Sequence, residues 1–161
     1  MNCENCRDCN SQCHDLKYGC RVCGKRGMEV AFDTILSLTT EYLRNTLQED
    51  AYYLCTNPKC YVAYYTLKGR VINLSDIKVD VWFKKDKKKF IVCYCRDISL
   101  DDVVFAVNSI DVATIPKVVH FLQKADIKVD CIHHNPTSIS CEKLFINAIE
   151  YAKKIKNMKI K

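Results

Sequence analysis

Cys55-Thr56-Asn57-Pro58-Lys59-Cys60 is preceded by Ala51-Tyr52-Tyr53-Leu54 and followed by Tyr61-Val62-Ala63-Tyr64-Tyr65-Thr66. Aromatic and β-branched residues dominate both flanks, and Asn-Pro marks the turn between them. The stretch therefore reads as a hairpin with strands over 51–55 and 60–66. Its tip carries two thiols in a C-x4-C spacing, and Cys20-Arg21-Val22-Cys23-Gly24 offers a second, tighter pair. A two-residue gap lets both sulfurs reach one ion at ~2.3 Å, with Gly24 permitting the turn and backbone amides facing the thiolates. Buried free cysteines would not explain paired spacings at two turns. Four thiolates on one ion close its coordination sphere, so Cys20, Cys23, Cys55 and Cys60 are expected to form a structural zinc site.

Outward from this pair of knuckles, the twelve cysteines fall into three fours with none left over. No apolar run approaches the ~20 residues needed to cross a bilayer. The start, Met1-Asn2-Cys3-Glu4-Asn5-Cys6, lacks the basic and apolar regions of a secretory signal. The expectation is a cytoplasmic protein with reduced thiols, whose cysteines serve metal rather than disulfides. Richness in Lys and Ile would suit a hyperthermophilic source, where intracellular disulfides do occur. The net charge of +6 arises mainly from Lys84 to Lys89 and from the tail Lys153 to Lys161. No aromatic residues interleave with those lysines to make a stacking surface, so they read as a solvated linker and a helix end rather than a nucleic-acid surface. With four glycines there is no phosphate-binding loop, and no nucleophile, base and orienting group suit hydrolysis. The chain reads as something other than an enzyme in its own right.

A short helix is expected over Thr40 to Leu47 and a third strand over Ile77 to Phe83. Downstream the pattern turns helical. Ser99 and Asp102 form a capping-box-like start, with Leu100, Val103, Val104 and Val107 on one face. Thr114 and Pro116 open another helix with Val118, Val119, Leu122 and Ala125 toward the core. A last one runs from about Cys141 to Lys156 on a stripe of Leu144, Phe145, Ala148, Ile149, Ala152 and Ile155. The third four is Cys93, Cys95, Cys131 and Cys141. Its C-x-C is too tight for a usual zinc knuckle, because side chains alternate along an extended chain. The loop between Cys131 and Cys141 could fold over a cluster, and helix N-termini stabilise thiolates. Spacing alone leaves a second zinc open. His133 and His134 read as loop residues beside a filled set of four, His120 as a helix-face residue, and Tyr94 as a shield against water.

The second and third fours together resemble the N-terminal domain of the archaeal CopZ copper chaperone family, related to the bacterioferritin-associated ferredoxin type of 2Fe–2S domain. The likeness covers about residues 20 to 155. It is carried by Cys20-x2-Cys23-Gly24, Cys55-x4-Cys60 with Tyr61-Val62-Ala63-Tyr64-Tyr65, Cys93-Tyr94-Cys95, and Cys131-x9-Cys141 enclosing Asn135-Pro136. The resemblance implies zinc on Cys20, Cys23, Cys55 and Cys60, and a 2Fe–2S cluster on Cys93, Cys95, Cys131 and Cys141. In that family the domain is redox-active and has been thought to supply an electron for reducing Cu(II) to Cu(I).

Two departures stand out. A Lys-rich helix, not a heavy-metal-associated domain, follows residue 141, which leaves copper delivery open. The other is the tail Cys3, Cys6, Cys9 and Cys13, whose C-x2-C-x2-C-x3-C reads as a 4Fe–4S run, although His14 and not proline follows the last cysteine. Soft thiolates suit Cu(I), zinc or iron–sulfur alike, so the tail is a candidate third metal site. The expected architecture is α+β: a Cys-rich tail over 1–19, a zinc-binding β-rich module over 20–90, and a helical 2Fe–2S module over 91–161. The expected function is one-electron transfer to a redox partner protein. Copper handling through the tail, with copper ions or a copper-handling protein as partner, and a zinc-only regulatory role are the alternatives.

Overall fold

The structure is a computed structural model that describes residues 19–159. The tail cysteines Cys3, Cys6, Cys9 and Cys13 lie outside the described residues. Helix and sheet are mixed in it, as an α+β chain requires.

The first half is a four-stranded antiparallel sheet in the order β1-β2-β3-β4, with β1 at Met28–Val30, β2 at Tyr52–Leu54, β3 at Val62–Thr66 and β4 at Val71–Asn73. Two short helices, α1 (Phe32–Leu38) and α2 (Glu41–Arg44), fill the connection from β1 to β2. The expected hairpin of 51–55 and 60–66 is the central β2–β3 pair, with Tyr53 opposite Tyr65 and their rings stacked at 5.7 Å. Every residue of β3 is buried. A register shift between Val62 and Tyr64 divides the strand's side chains between two cores. Ala63 and Tyr64 join Val30, Ile35, Leu54 and Ile72, while Val62 and Tyr65 join Cys20, Cys55 and Cys60. Gly27 is where the sheet meets the first knuckle. A Cβ there would lie 2.7 Å from both Leu54 O and the Tyr65 hydroxyl, which accepts the Gly27 N–H.

In the second half, β5 (Ile91–Cys93) and β6 (Ile98–Ser99) form a small antiparallel hairpin ahead of α3 (Leu100–Ser109). The capping box is present: Ser99 Oγ accepts from Asp102 N at 3.2 Å, and Asp102 accepts from Ser99 N at 2.8 Å. Helices α4 (Ile115–Phe121), α5 (Cys131–His134) and α6 (Glu142–Lys159) complete the chain. The apolar stripe of α6 packs Phe145, Ala148, Ile149 and Ala152 against Val103, Ala106 and Val107 of α3 and Val118 of α4. Lys156 reaches back to bond Val107 O and Ile110 O at the open end of α3, where carbonyls lack helical partners.

Several local expectations change. Ile77 to Phe83 is not a strand; Ile77 makes one isolated bridge to Thr39 and the chain then runs into turns. Its alternation was real in burial, since Ile77 and Val81 are buried, but Lys78, Asp80 and the Lys-rich turns leave it no strand to pair with. The third partner of the sheet is Val71–Asn73 instead. The helix expected over 40–47 is the single turn Glu41–Arg44, and α1 precedes it where no helix was read. Ala125 is exposed beyond the end of α4. The lysine linker is not wholly solvated either, because Lys84 is 1% exposed.

Candidate metal centres

The first centre grows from two turns. At the first, Gly24 takes φ 72°, a left-handed value that glycine adopts without strain, and its N–H donates to Cys20 O at 2.7 Å. At the second, Asn57 builds an Asx turn: its Oδ1 accepts from Lys59 N at 3.0 Å and its main-chain oxygen from Cys60 N at 3.2 Å. Cys55 N bonds Ala63 O at 2.8 Å, which fastens this turn to the sheet. The outcome is that the sulfurs of Cys20, Cys23, Cys55 and Cys60 all lie within 4.8 Å of one another. Cys23 Sγ and Cys55 Sγ are 3.6 Å apart, close to the ~3.8 Å edge of a tetrahedron with 2.3 Å metal–sulfur bonds. Three of the four are buried.

Electrostatics fit the same geometry. The backbone N–H groups of Lys25, Asn57 and Val62 each face the sulfur two residues earlier, on Cys23, Cys55 and Cys60. Burial pushes the Cys55 thiol up to about 12 and Cys60 also upward, so an uncompensated thiolate there is costly. Burial opposes ionisation of Cys23 as well, but the Lys25 amide and neighbouring Asn57, Cys55 and Cys60 outweigh it and bring this thiol down to about 7. A cation held among the four sulfurs relieves that cost at Cys55 and Cys60. Lys84 adds positive charge from behind: its Nζ donates to Asn57 O, Cys60 O and Val62 O at 2.9, 3.2 and 2.9 Å.

The second centre draws on more distant parts of the chain. Cys93 ends β5, and Cys95 follows in the tight turn to β6, where Asp97 adopts φ 44°. Lys124 holds that turn with bonds to Arg96 O at 2.7 Å and Asp97 O at 2.9 Å, and Arg96 Nε returns one to Lys124 O at 3.0 Å. Cys131 opens α5, capped by Asp130, and Cys141 O accepts the Phe145 N–H at the start of α6. All four cysteines line one cavity of about 570 Å³ with Ala113, Ile115, Pro116, Val129, Phe145 and Ile149. Cys93 Sγ and Cys95 Sγ are 3.7 Å apart. The mutual 4.8 Å packing of the first group is not repeated here among the described residues. The interaction with Cys141, together with backbone and side-chain contacts from Arg96, overcomes burial and brings Cys93 down to about 5, while the same interaction and burial move Cys141 up. Burial raises Cys95.

Tyr94, expected to shield the sulfurs, does not line their cavity and instead ties the turn to the 80–82 segment. Its buried hydroxyl donates to Asp80 O at 2.7 Å and accepts from Trp82 N at 3.0 Å. His133 pairs with Asp130 through Nδ1 at 2.8 Å and is half-exposed, and His120 is exposed on α4. Three contributors were missed in the sequence: Tyr64 and Thr34, which reach the Cys131–Cys141 loop, and Lys84. Tyr64 looked like any core tyrosine of an apolar strand, and Lys84 like one lysine in a run.

Residues 17–78, which contain the whole first centre, match the family model of the CopZ zinc-binding domain. This part of the chain is CopZ-like. The CopZ likeness in fold extends well past residue 78. The N-terminal domain of CopZ from Archaeoglobus fulgidus, an X-ray structure, superposes with a TM-score of 0.63 over 80% of this chain and 95% of that one, at 21% identity. No curated protein matches the chain. Among the described residues, no helix is long and apolar enough to cross a membrane.

Proposed function

We propose that the chain is a two-centre metalloprotein of the reducing cytoplasm, with zinc on Cys20, Cys23, Cys55 and Cys60 and a 2Fe–2S cluster on Cys93, Cys95, Cys131 and Cys141. Its function is one-electron transfer to a redox partner protein. One observation carries the distinction between the centres: the first four sulfurs converge on a point, whereas the second four share a cavity of about 570 Å³ without converging. A single ion suits the first, and a larger, two-metal group suits the second. Four thiolates close the zinc sphere, and zinc has no redox chemistry, so this centre holds the scaffold.

The residues around the second cavity serve a redox role. The apolar wall of Phe145, Ile149 and Val129 limits water, and Arg96 places a cation beside Cys93. A bound 2Fe–2S group would supply the one-electron couple, on the order of −400 mV for all-cysteine ligation. A second reading, copper handling, draws on the CopZ likeness and on the tail thiols of Cys3, Cys6, Cys9 and Cys13.

Anaerobic reconstitution with zinc, iron and sulfide tests the reading. We expect these two centres to take one zinc and two irons per chain, beside whatever metal the tail thiols hold, and to give a brown protein with an EPR signal on reduction. Cys93→Ser should abolish or grossly alter that signal with zinc retained. A colourless chain that takes up a second zinc in place of iron would end the electron-transfer reading.

A further inference from the structure

Nine residues separate Cys131 from Cys141, and what shapes this loop comes largely from the other half of the molecule. Tyr64, fully buried on β3, donates its hydroxyl to Pro136 O at 3.0 Å. Thr34, fully buried on α1, donates to Ile132 O at 2.5 Å. With its one hydrogen so used, Thr34 accepts from Ser138 Oγ at 2.8 Å, and Ser138 Oγ in turn accepts from Ala31 N at 2.9 Å. The loop's own brace is Asn135, whose Oδ1 accepts from Thr137 N and Oγ1 and whose Nδ2 donates to Ile139 O. The loop is thus gripped from outside at positions 132, 136 and 138, between its two cysteines.

The grip connects to the first centre along one strand. β3 starts two residues after Cys60, and Tyr64 is four residues on, roughly 13 Å of extended chain. Lys84 clamps the same start of β3 through Cys60 O and Val62 O. Order at the second knuckle, which carries Cys55 and Cys60, therefore fixes where the Tyr64 hydroxyl points, and with it Pro136.

We propose that Tyr64 is a positioning residue for the Cys131–Cys141 site, and that β3 carries order from the Cys20, Cys23, Cys55 and Cys60 centre to it. The inference rests on the two-centre reading above. Tyr64→Phe in the full chain removes one hydroxyl and keeps the ring. After anaerobic reconstitution with zinc, iron and sulfide, zinc per chain should equal the wild type, while the EPR and visible circular dichroism spectra change. In zinc-loaded protein without iron, Cys131 and Cys141 should be alkylated by iodoacetamide about tenfold faster, the scale by which losing one buried hydrogen bond favours local opening of the loop. Tyr52→Phe is the control, because Tyr52 is as buried in the same sheet but donates to Gln48 O, away from the loop. It should alter neither spectra nor alkylation. The proposal fails if Tyr64→Phe matches the wild type in both readouts, or if Tyr52→Phe changes them equally, which would mark general loosening. A wild-type chain that takes no cluster would sink the electron-transfer reading alone, since the alkylation rates still decide the role of Tyr64.

Discussion

The two cysteine centres are built by different means. At the first, each pair of thiols sits on one turn, shaped by residues inside that turn: Gly24 for Cys20 and Cys23, Asn57 for Cys55 and Cys60. Only the meeting of the two turns needs the sheet. At the second, the hairpin turn bearing Cys93 and Cys95 depends on Lys124, and the loop bearing Cys131 and Cys141 depends on Thr34 and Tyr64, 98 and 72 residues away from their partners. The first is a local construction that the fold brings together. The second exists only once the fold is complete, so its geometry inherits whatever disturbs the sheet.

The largest effect should therefore follow loss of a first-centre ligand. Binding energy at a structural zinc is folding energy, so Cys60→Ser should lose zinc and lower Tm by more than about 10 °C, several kcal/mol at this chain length. It should also perturb the second centre. Cys141→Ser should cost less in Tm and leave zinc untouched. Thermal melts with zinc and iron counts on both variants check this. Equal melting losses would break the asymmetry, and an undisturbed second centre in Cys60→Ser would mean the halves do not communicate.

Lys84 sharpens the contrast at a smaller scale. It is a cation buried to 1% exposure, stacked on Phe83 at 5.7 Å, and its three bonds go to carbonyls that flank the second knuckle. Lys84→Met keeps most of the side chain's apolar length and removes the ammonium that bonds Cys60 O and Val62 O, while Asn57 O keeps the Cys60 N–H. We expect a loss of about 2–4 kcal/mol in urea unfolding and faster zinc transfer to a chelator, with zinc still bound at equilibrium. Unchanged release kinetics would reduce Lys84 to a packing residue.

The same contrast sets what could be read in advance. C-x2-C with glycine, and C-x4-C around Asn-Pro between aromatic strands, are local signals of local geometry, and the first centre was legible from them. The capping box at Ser99 and the stripe of α6 were legible for the same reason. Ile77 to Phe83 misled because burial alternates there without a pairing partner, so the period of two reports side-chain environment alone. Helix α1 was hidden because its buried Thr34 is polar in sequence and its partner, the loop at 132–138, is about a hundred residues away. That Cys93, Cys95, Cys131 and Cys141 line one cavity had no local signal beyond the fours themselves; the pairing of the two halves of the set came from the resemblance. Tyr64 and Lys84 act across the chain, and no spacing rule points to them.

The smallest expected effect asks whether the second half has stability of its own. Ser99 ends β6 and caps α3, and its hydroxyl both accepts from Asp102 N at 3.2 Å and donates to Asp102 Oδ2 at 2.6 Å. The ten-residue α3 lies against α6 over Val103, Ala106 and Val107, yet none of these residues lines the cysteine cavity. Ser99→Ala removes the hydroxyl and leaves the Asp102 carboxylate with the Ser99 N–H alone, which should cost about 1 kcal/mol. Because the cap touches neither knuckle nor loop, zinc per chain, iron per chain and the alkylation rates of Cys131 and Cys141 should stay at wild-type values. The measurement is a urea melt beside those counts. A loss near 1 kcal/mol with the centres unmoved would show that the helical core is held by ordinary packing and capping, and that the second centre leans on the zinc-bearing sheet rather than on α3. Faster alkylation in Ser99→Ala would reverse that, making the hairpin and α3 the member that shapes the cavity.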